Sequence, residues 1–477
     1  MRVKINSFKI GVFQLDKNFT IKNYKHIHMI GIGGVSMSGI AEILHHEGIK
    51  VTGSDANDSD IIQKLIKKGI PVKIGHDLEN AKKADLVVYT AAIKKEDPEL
   101  VEARNANVQT MERANFLGEI TKLYKDTICI SGTHGKTTTT SMVSLCFLEA
   151  KKDPTIQVGA ILNQIDGNYY IGKSDYFIIE ACEYVESFLK FHPKSEIILN
   201  IDNDHLDYFK NLDNIKKSFA KYAGLLPEDG LLVVNGDDKN SKHLPSSTKA
   251  KVLTYGIKNT NVDFYAKNIV SDDNGFFSFD VYHNNEFYEN ITLSIPGIHN
   301  VSNALACIAL CDYYGISKEA IKSALSKFTG ADRRFEYVGN YKNVKVYDDY
   351  AHHPTEIQSV VNSVKNKKYH ENWIVFQSHT YSRTKLLLDN FAKVLSEFDH
   401  VIITDIYAAR EINQFGISPE DLVNKINELK PNKAIYISKF EDIADYLKEH
   451  VKDEDIILTV GAGSITKLGK MIVEWNF

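Results

Sequence analysis

The chain has 477 residues, of which 43% are hydrophobic and 25% are charged, and this composition excludes a disordered or fibrous protein. Lysine and arginine number 57 against 62 aspartates and glutamates, so the net charge of −5 provides no general attraction to nucleic acid. At about 150 residues per domain, the length predicts roughly three domains.

No segment has the pattern of a membrane span or a signal peptide. The longest uncharged stretch, residues 290–311, contains Pro296, Gly297 and several polar residues, and the first 14 residues lack a continuous apolar region. The five cysteines lack zinc-site spacing, and four lie in apolar contexts typical of buried free thiols in a reducing compartment. We therefore expect a cytoplasmic protein without membrane insertion.

The first part of the chain alternates short apolar runs with turns and helix-like stretches. We predict strands over 26–30, 50–55 and 85–90, a turn at Gly31–Gly34 and a helix over about 36–46. This pattern is typical of a parallel α/β sheet.

A polar segment at 122–126 predicts a domain boundary, after which two further α/β regions follow. Between 231 and 288, apolar and polar residues alternate as in antiparallel strands with one buried face. The remaining strands are predicted over 127–131, 176–180, 196–201, 344–347, 373–377, 401–404 and 456–460, with a helix ending at 149.

The strongest chemical signal is a glycine-rich loop, Ser-Gly-Thr-His-Gly-Lys-Thr-Thr, over residues 131–138. Between a strand and a helix, such a loop points backbone amides into one concavity at a helix N-terminus, where phosphate binds. Lys136 can reach terminal phosphates, and the Thr137 hydroxyl can bind magnesium. Ile130 stands where the usual motif has its first glycine, so the loop is a shortened variant.

Carboxylates and histidines follow the next two predicted strands. Glu180 ends one strand, with Glu183 three residues on, and the run Asn-Ile-Asp-Asn-Asp-His-Leu-Asp follows the other at 200–207. Beside a phosphate loop, these groups suit metal ions or a reacting phosphoryl group. Taken alone, Glu180 is better explained as a solvated carboxylate at a strand end, and the 200–207 run is equally compatible with a polar turn.

A second glycine-rich turn lies near the N-terminus. Gly31, Gly33 and Gly34 follow a strand and Asp55 ends the next one, as in a dinucleotide fingerprint, but Ser36 replaces the last glycine of that motif. A helix N-terminus and bare amides accept any pyrophosphate, so this turn alone does not identify its ligand.

Ten ordered segments from residue 28 onward resemble the ATP-dependent Mur ligase family, which builds the peptide of bacterial cell-wall precursors. They are HMIGIGGVSMSGIAEIL (28–44), VTGSD (51–55), SGTHGKTTTTS (131–141), EACEYVESFL (180–189), NIDNDHLDYF (200–209), PGIHNVSNALA (296–306), GADRRFE (330–336), VYDDYAHHPTEI (346–357), FQSHTYSRT (376–384) and DIYAAREIN (405–413).

The resemblance implies an α/β protein of three domains. Residues 1–125 would form a Rossmann-like parallel sheet that binds a UDP-sugar, with 1–22 as an extension. Residues 126–330 would form a P-loop ATPase-type α/β domain with an antiparallel annex. Residues 331–477 would form a Rossmann-like α/β domain that brings the amino acid.

The resemblance also implies the reaction, its ligands and its surroundings. The chain would join L-alanine to the lactyl carboxylate of UDP-N-acetylmuramate through an acyl phosphate, releasing ADP and phosphate. ATP would be the co-substrate and Mg²⁺ the metal, with Mn²⁺ as an alternative. The expected enzyme is a cytoplasmic monomer or dimer that serves peptidoglycan synthesis, cell-wall biogenesis, cell shape and cell division.

Site residues follow from the matching motifs. Lys136, His205, His352 and Arg383 would be catalytic, with His205, His352 and His353 as alternative bases. The metal would be bound by Thr137, Glu180 and His205. Thr380 stands where many members have arginine, so binding of the amino-acid carboxylate would depend on Arg383. ATP would contact Gly132, Thr133, His134, Gly135, Lys136, Thr137, Thr138, His299, Asn300, Arg333, Arg334 and Asp349; the UDP-sugar Gly31, Gly33, Gly34, Ser36, Asp55 and His76; and L-alanine Tyr350, His352, His379 and Arg383.

Four alternatives remain at this point. A related ligase could add a tripeptide to UDP-muramate. A folylpolyglutamate-type ligase is a further alternative, but the turn at Gly31–Gly34 disfavours it. A nicotinamide-dependent oxidoreductase would explain Gly31, Gly33 and Asp55 but leaves the 131–138 loop without a role. A non-catalytic ATP-binding switch would make the polar cluster at 348–353 merely structural.

Overall fold

The computed structural model describes residues 21–474, except positions 91, 274, 366 and 410. The chain divides into two compact units, Met1–Leu123 and Tyr124–Phe477. Only the last two positions of the proposed extension, residues 1–22, fall within the described residues. The predicted boundary between 330 and 331 lies inside the second unit, so the residue bounds of the three domains stay a prediction.

The first unit alternates strands and helices. Its elements are β1 (His26–Ile30), α1 (Val35–His46), β2 (Lys50–Asp55), α2 (Asp60–Lys67), β3 (Val72–Ile74), α3 (Leu78–Lys83), β4 (Leu86–Tyr89), α4 (Pro98–Asn105), β5 (Gln109–Glu112) and α5 (Arg113–Thr121). The strand order is β3-β2-β1-β4-β5, and all neighbours are parallel. Because β1 is central, all five of its residues are buried. The predicted parallel α/β sheet is confirmed.

The second unit begins with a mixed sheet. Its elements are β6 (Asp126–Ser131), α6 (Lys136–Glu149), β7 (Thr155–Leu162), β8 (Gly167–Tyr170), β9 (Tyr176–Glu180), β10 (Ser195–Ile198), α7 (Leu206–Phe209), α8 (Leu212–Ala223), β11 (Leu231–Asn235), β12 (Lys251–Gly256), β13 (Phe264–Ser271), β14 (Phe276–His283), β15 (Glu286–Pro296), α9 (Ile298–Tyr313) and α10 (Lys318–Lys327). The order is β15-β14-β13-β12-β11-β10-β6-β9-β7-β8, so β6 lies centrally between its parallel neighbours β10 and β9.

The antiparallel part of this sheet is smaller than its sequence pattern indicates. The predicted region starts at residue 231, but β11 and β12 pair in parallel, and antiparallel pairing begins between β13 and β14. Burial alternates along β14 and over residues 290–295 of β15, whereas β11 is a continuous apolar run that is buried.

Helices α6 and α9 pack together on the central sheet and both begin at the candidate site. Both contribute to one hydrophobic core, which includes Val143 and Leu305. The hydroxyls of Thr140, Ser141 and Ser144 donate to carbonyl oxygens four residues earlier, so these buried polar groups of α6 are satisfied. The prediction of four buried free thiols is confirmed at Cys129, Cys146, Cys307 and Cys311.

The C-terminal part of the second unit is another α/β sheet. Its elements are β16 (Glu336–Tyr341), β17 (Val344–Asp349), α11 (Pro354–Lys365), β18 (Asn372–Phe376), α12 (Tyr381–Leu386), α13 (Leu388–Leu395), β19 (His400–Ile403), α14 (Pro419–Leu429), β20 (Ala434–Tyr436), α15 (Phe440–His450), β21 (Ile456–Val460) and α16 (Thr466–Glu474). The order is β16-β17-β21-β18-β19-β20, parallel except for the edge strand β16. Across the described residues, no helix is both long and apolar enough to cross a membrane.

Candidate active site

The glycine-rich loop connects β6 to α6. Gly132 and Gly135 have φ angles of +134° and +88°, which residues with a side chain rarely adopt. A Cβ atom on Gly135 would lie 2.8 Å from Oδ1 of Asn303, so the backbone approaches α9 with no room for a side chain. The loop thus presents bare backbone at the N-terminus of α6, which is a phosphate-binding geometry.

The Lys136 side chain folds back into this loop. Its ammonium donates to the carbonyl oxygens of Gly132 and Thr133 at 2.5 and 3.0 Å, and to the Glu183 carboxylate at 3.0 Å. Burial disfavours the charged form, but the nearby Glu183 carboxylate outweighs burial and raises the pKa of Lys136. A cation is therefore held inside the loop at neutral pH.

Thr137 and Glu180 form a pair of hard oxygen donors beside the loop. The Thr137 hydroxyl donates to Oε2 of Glu180 at 3.0 Å, and the backbone amide of Gly159 donates to the same oxygen at 2.9 Å. A Cβ on Gly159 would lie 2.6 Å from that carboxylate, so glycine keeps the space around it open. A hydroxyl and a carboxylate at the end of a parallel strand fit the oxygen preference of Mg²⁺.

His205 lies at the start of α7 with a φ angle of +51°. Its ring centroid is 4.5 Å from that of Tyr184, and its Nε2 is 3.8 Å from Oδ2 of Asp204. These described contacts do not join His205 to Thr137 or Glu180. The structure brings two of the three expected metal ligands, Thr137 and Glu180, together. The complete three-ligand site stays a prediction.

His134 connects the phosphate loop to the C-terminal sheet. Its Nε2 lies 3.2 Å from Oδ2 of Asp202, and its Nδ1 lies 3.3 Å from Oε1 of Glu356. The side-chain amide of Asn200 accepts from the His134 backbone amide at 2.8 Å and donates to its carbonyl at 3.0 Å. Burial works against protonation, but hydrogen bonds to the two carboxylates prevail and raise the pKa of His134 to about 9.

Two further hydrogen bonds join the β10–α7 loop to the start of α11. The Thr355 hydroxyl donates to Asp202 at 2.8 Å, and Nε2 of His353 lies 3.0 Å from the carbonyl oxygen of Asn203. The hydrogen bond from His134 lowers the pKa of Asp202 most, and smaller effects in the same direction come from Thr355 and the Asn203 amide. Together they outweigh the partial burial of Asp202, which acts in the opposite direction. Asp202 is therefore ionised at neutral pH and opposes the His134 cation.

A cleft with about 720 Å³ of empty space opens beside the loop between α9 and α11. Burial lowers the pKa of His299 to about 4 and raises that of Asp349 to about 6. A neutral His299 suits an uncharged ring such as a nucleobase. The predicted nucleotide-binding residues that line the cleft are His134, Gly135, Thr138, His299, Asn300, Arg334 and Asp349.

The two consecutive arginines have different surroundings. Arg333 donates to Asp348 through Nε at 3.0 Å and to the carbonyl of Gly461 at 2.5 Å, so its guanidinium is bound within the C-terminal sheet. Arg334 lines the cleft. Both guanidinium groups lie over the Tyr350 ring, 4.8 and 5.2 Å from its centroid. Of the two predicted ATP-binding arginines, the structure brings Arg334 to the cleft.

The four residues predicted for L-alanine form one cluster. The ring of His352 lies 5.3 Å from Tyr350 and 5.7 Å from His379, and Nη1 of Arg383 is 3.4 Å from Nδ1 of His379. Burial lowers the pKa of His352, and it lowers that of His379 to about 4. Nη2 of Arg383 donates to Asp204 at 2.7 Å. The cluster combines a cation with neutral imidazoles.

The first unit contains the residues predicted for a UDP-sugar. The Asp55 carboxylate accepts a hydrogen bond from the Gly33 amide at 2.9 Å, and Gly31 turns the chain with a φ angle of +77°. Ser36, near the start of α1, accepts from Arg113 at 3.2 Å. His76 lies 3.3 Å from the buried carboxylate of Glu99. The turn from Gly31 to Gly34 thus lies at a helix N-terminus with Asp55 beside it.

Several contacts at this site were not predicted from the sequence. Asn200 fixes both sides of the His134 peptide, while Asp202, Thr355 and Glu356 join the two sheets. Glu356 follows the run His-His-Pro-Thr, and an acidic residue in the first turn of a helix is a recognisable helix-start signal. That signal predicts the helix start and says nothing about contact with His134.

Family models match three successive segments of the chain. Residues 26–125 match the model described as Mur ligase family, catalytic domain; residues 130–311 match the Mur ligase middle domain; and residues 333–463 match the Mur ligase, glutamate ligase domain.

Curated relatives and a solved structure are similar over nearly the full length. A UDP-N-acetylmuramate–L-alanine ligase of Acetivibrio thermocellus is 50% identical, covering 94% of this chain and 96% of its own. The ligase of the same description from Clostridium acetobutylicum is 49% identical, covering 96% and 99%. The crystal structure of UDP-N-acetylmuramate–alanine ligase from Thermotoga maritima has a TM-score of 0.80 at 30% identity and covers 95% of this chain and 99% of that one.

Proposed function

The chain belongs to the Mur ligase family, and we propose that it joins L-alanine to the lactyl carboxylate of UDP-N-acetylmuramate with conversion of ATP to ADP and phosphate. The product is a peptidoglycan precursor. Peptidoglycan synthesis supplies the cell wall and thereby supports cell shape and division, and a cytoplasmic enzyme fits substrates such as ATP and a UDP-sugar.

One observation supports this reaction most directly. Within the second unit, the phosphate loop, the cleft and the cluster of Tyr350, His352, His379 and Arg383 are connected through His134 and Glu356. A site that phosphorylates a carboxylate and then delivers an amine to it requires these parts side by side. An oxidoreductase has no need for the 131–138 loop.

The first step is the transfer of the γ-phosphoryl group to the lactyl carboxylate. A carboxylate is a poor electrophile with a poor leaving group, and conversion to an acyl phosphate corrects both. Phosphoryl transfer requires alignment and neutralisation of negative charge. The loop amides and the Lys136 ammonium supply fixed positive charge, and the Arg334 guanidinium supplies more at the cleft.

Thr137 and Glu180 would bind the metal, and the oxygen donors observed there fit Mg²⁺ better than a soft ion. When bound, Mg²⁺ supplies charge neutralisation at the β- and γ-phosphate oxygens. We retain His205 as a third proposed ligand, and Mn²⁺ remains an alternative because it accepts similar donors.

The second step is attack by the neutral amine of L-alanine on the acyl phosphate. Arg383 would bind the alanine carboxylate, and a neutral imidazole would accept the ammonium proton. Nδ1 of His352 is 2.9 Å from the Tyr350 carbonyl, which makes it the donor and leaves the lone pair on Nε2. His353 contacts the Asn203 carbonyl and the Thr355 amide with its two nitrogens. We therefore favour His352 as the base.

An isotope experiment tests the acyl-phosphate route. UDP-N-acetylmuramate with ¹⁸O in the lactyl carboxylate is incubated with ATP, Mg²⁺ and L-alanine, and the released phosphate is analysed by mass spectrometry. Attack of a carboxylate oxygen on the γ-phosphorus, followed by loss of phosphate to the amine, transfers one ¹⁸O into phosphate. Phosphate without label would contradict the proposed mechanism.

A further inference from the structure

Glu356 contacts both the phosphate loop and the amino-acid cluster. Its Oε1 lies 3.3 Å from Nδ1 of His134, and its Oε2 accepts a hydrogen bond from the backbone amide of His352 at 3.0 Å. The Glu356 side chain is 17% exposed and that of His134 is 16% exposed, so water has limited access to the contact. One carboxylate therefore fixes two segments that belong to different sheets.

The local sequence explains why a carboxylate lies here. Pro354 begins α11, so Glu356 is the third residue of the helix, and its side chain reaches back past the N-cap residue to the amide of His352. The negative charge also complements the positive end of the helix dipole. Helix capping requires only one of the two oxygens, so the second oxygen is available for His134.

Glu356 also lies beside the His352 ring of the amino-acid cluster. The His352 ring is held by the Tyr350 carbonyl at 2.9 Å through Nδ1, and Nδ1 is also 3.5 Å from Oε2 of Glu356. Tyr350 and His379 flank this ring. Moving Glu356 away from His134 would therefore shift the His352 segment relative to the phosphate loop.

We infer that Glu356 is a positioning residue, which sets the distance between the phosphorylated carboxylate and the incoming amine by joining His134 to His352. This inference rests on the proposed function. Glu356 forms no bond in the reaction. Its effect is on alignment, and a misplacement of about 1 Å can reduce a rate by about 10²-fold.

Glu356→Gln tests this role through a split between two Michaelis constants. Glutamine keeps the shape but replaces one acceptor oxygen with a donor, so it cannot accept from both His134 and His352. We expect kcat to fall because the amine is misaligned, and KM for L-alanine to rise at least about tenfold because the cluster that binds it is displaced. KM for ATP should be unchanged or lower, because a negative charge beside the phosphates is removed. General damage to the fold would raise both constants.

A second variant, His134→Gln, changes the other side of the same contact, in the phosphate loop. It replaces Glu356→Gln in the test if that variant does not fold. It should also raise KM for L-alanine. If the two residues act through one contact, the double variant should lose no more kcat/KM for L-alanine than the worse single variant. Glu397→Gln is the matched control, since Glu397 pairs at 2.7 Å with Lys365 at the far end of α11, and both constants should stay unchanged.

The inference is overturned if Glu356→Gln leaves KM for L-alanine within about threefold, raises both constants equally, or is additive with His134→Gln. If Glu356→Gln does not fold, an unchanged KM for L-alanine in His134→Gln overturns it. Phosphate release by the wild-type protein distinguishes failure of this inference from failure of the proposed function. Without phosphate release that depends on L-alanine and UDP-N-acetylmuramate in the wild type, the proposed function itself fails.

Discussion

Among single side chains, we expect loss of Lys136 to reduce the reaction rate most. Lys136→Ala removes the buried cation from the phosphate loop, and we expect phosphate release to fall by at least about 10³-fold, as for loss of a fixed transition-state charge. Binding of UDP-N-acetylmuramate, measured by calorimetry, should persist because its proposed site lies in the first unit. A variant with wild-type turnover would show that the loop has another ligand.

Arg383 should act on the amino acid. In Arg383→Ala, we expect KM for L-alanine to rise by about 10- to 100-fold, the cost of a lost charge-assisted hydrogen bond to a carboxylate. Lys385→Ala is the control because Lys385 is an exposed cation on the same helix, α12. Equal effects of the two substitutions on steady-state kinetics would contradict a specific role for Arg383.

His134 should make stability depend on pH in the alkaline range. Its pKa in the folded protein is about 9, above its ordinary value of 6.5, so the stabilisation is complete below pH 6.5 and is lost as the pH rises through 9. The shift corresponds to at most about 3 kcal/mol. Thermal unfolding of the wild type and His134→Gln should differ most near pH 6 and converge above pH 9. A constant difference would mean that the histidine is not protonated in the native state.

The loop between β6 and α6 offers a test of backbone geometry. Gly135→Ala places a Cβ 2.8 Å from Asn303 at a φ angle of +88°, so the loop and α9 must move apart and nucleotide binding should be lost. Gly315→Ala is the control, because Gly315 has a φ angle of +65° and nothing within 4 Å of the added atom. Both variants bear about 1 kcal/mol of backbone strain. Equal ATP affinity in the two variants would contradict the close approach at Gly135.

Local signals predicted the elements that carry the chemistry. The strand ending at Ser131, the helix ending at Glu149 and the strand ending at Glu180 follow from apolar runs bounded by glycine or charge, which are properties of adjacent residues. The contact of His134 with Asp202 and Glu356 joins residues 68 and 222 positions away, and only the packed sheets determine it. The same limit applies to Arg333 and Arg334, whose adjacent positions carry no information about which guanidinium meets Asp348.

Across the protein, the candidate sites divide between the two units. The second unit contains the phosphate loop, the cleft and the amino-acid cluster, while the first contains the turn proposed for the UDP-sugar. His134 joins the phosphate loop to Glu356 of α11, and His353 and Thr355 join the start of the same helix to the β10–α7 loop. The three ligands of a ligase therefore correspond to distinct groups of residues.

The proposed reaction is defined by which amine is joined to which acid. The most direct measurement is mass spectrometry of the product formed from ATP, Mg²⁺ and UDP-N-acetylmuramate with L-alanine, or with the tripeptide used by recycling ligases. We predict that the product is UDP-N-acetylmuramoyl-L-alanine, with one phosphate released per amide formed. Product with the tripeptide and none with L-alanine, or ATP hydrolysis without an amide product, would contradict it.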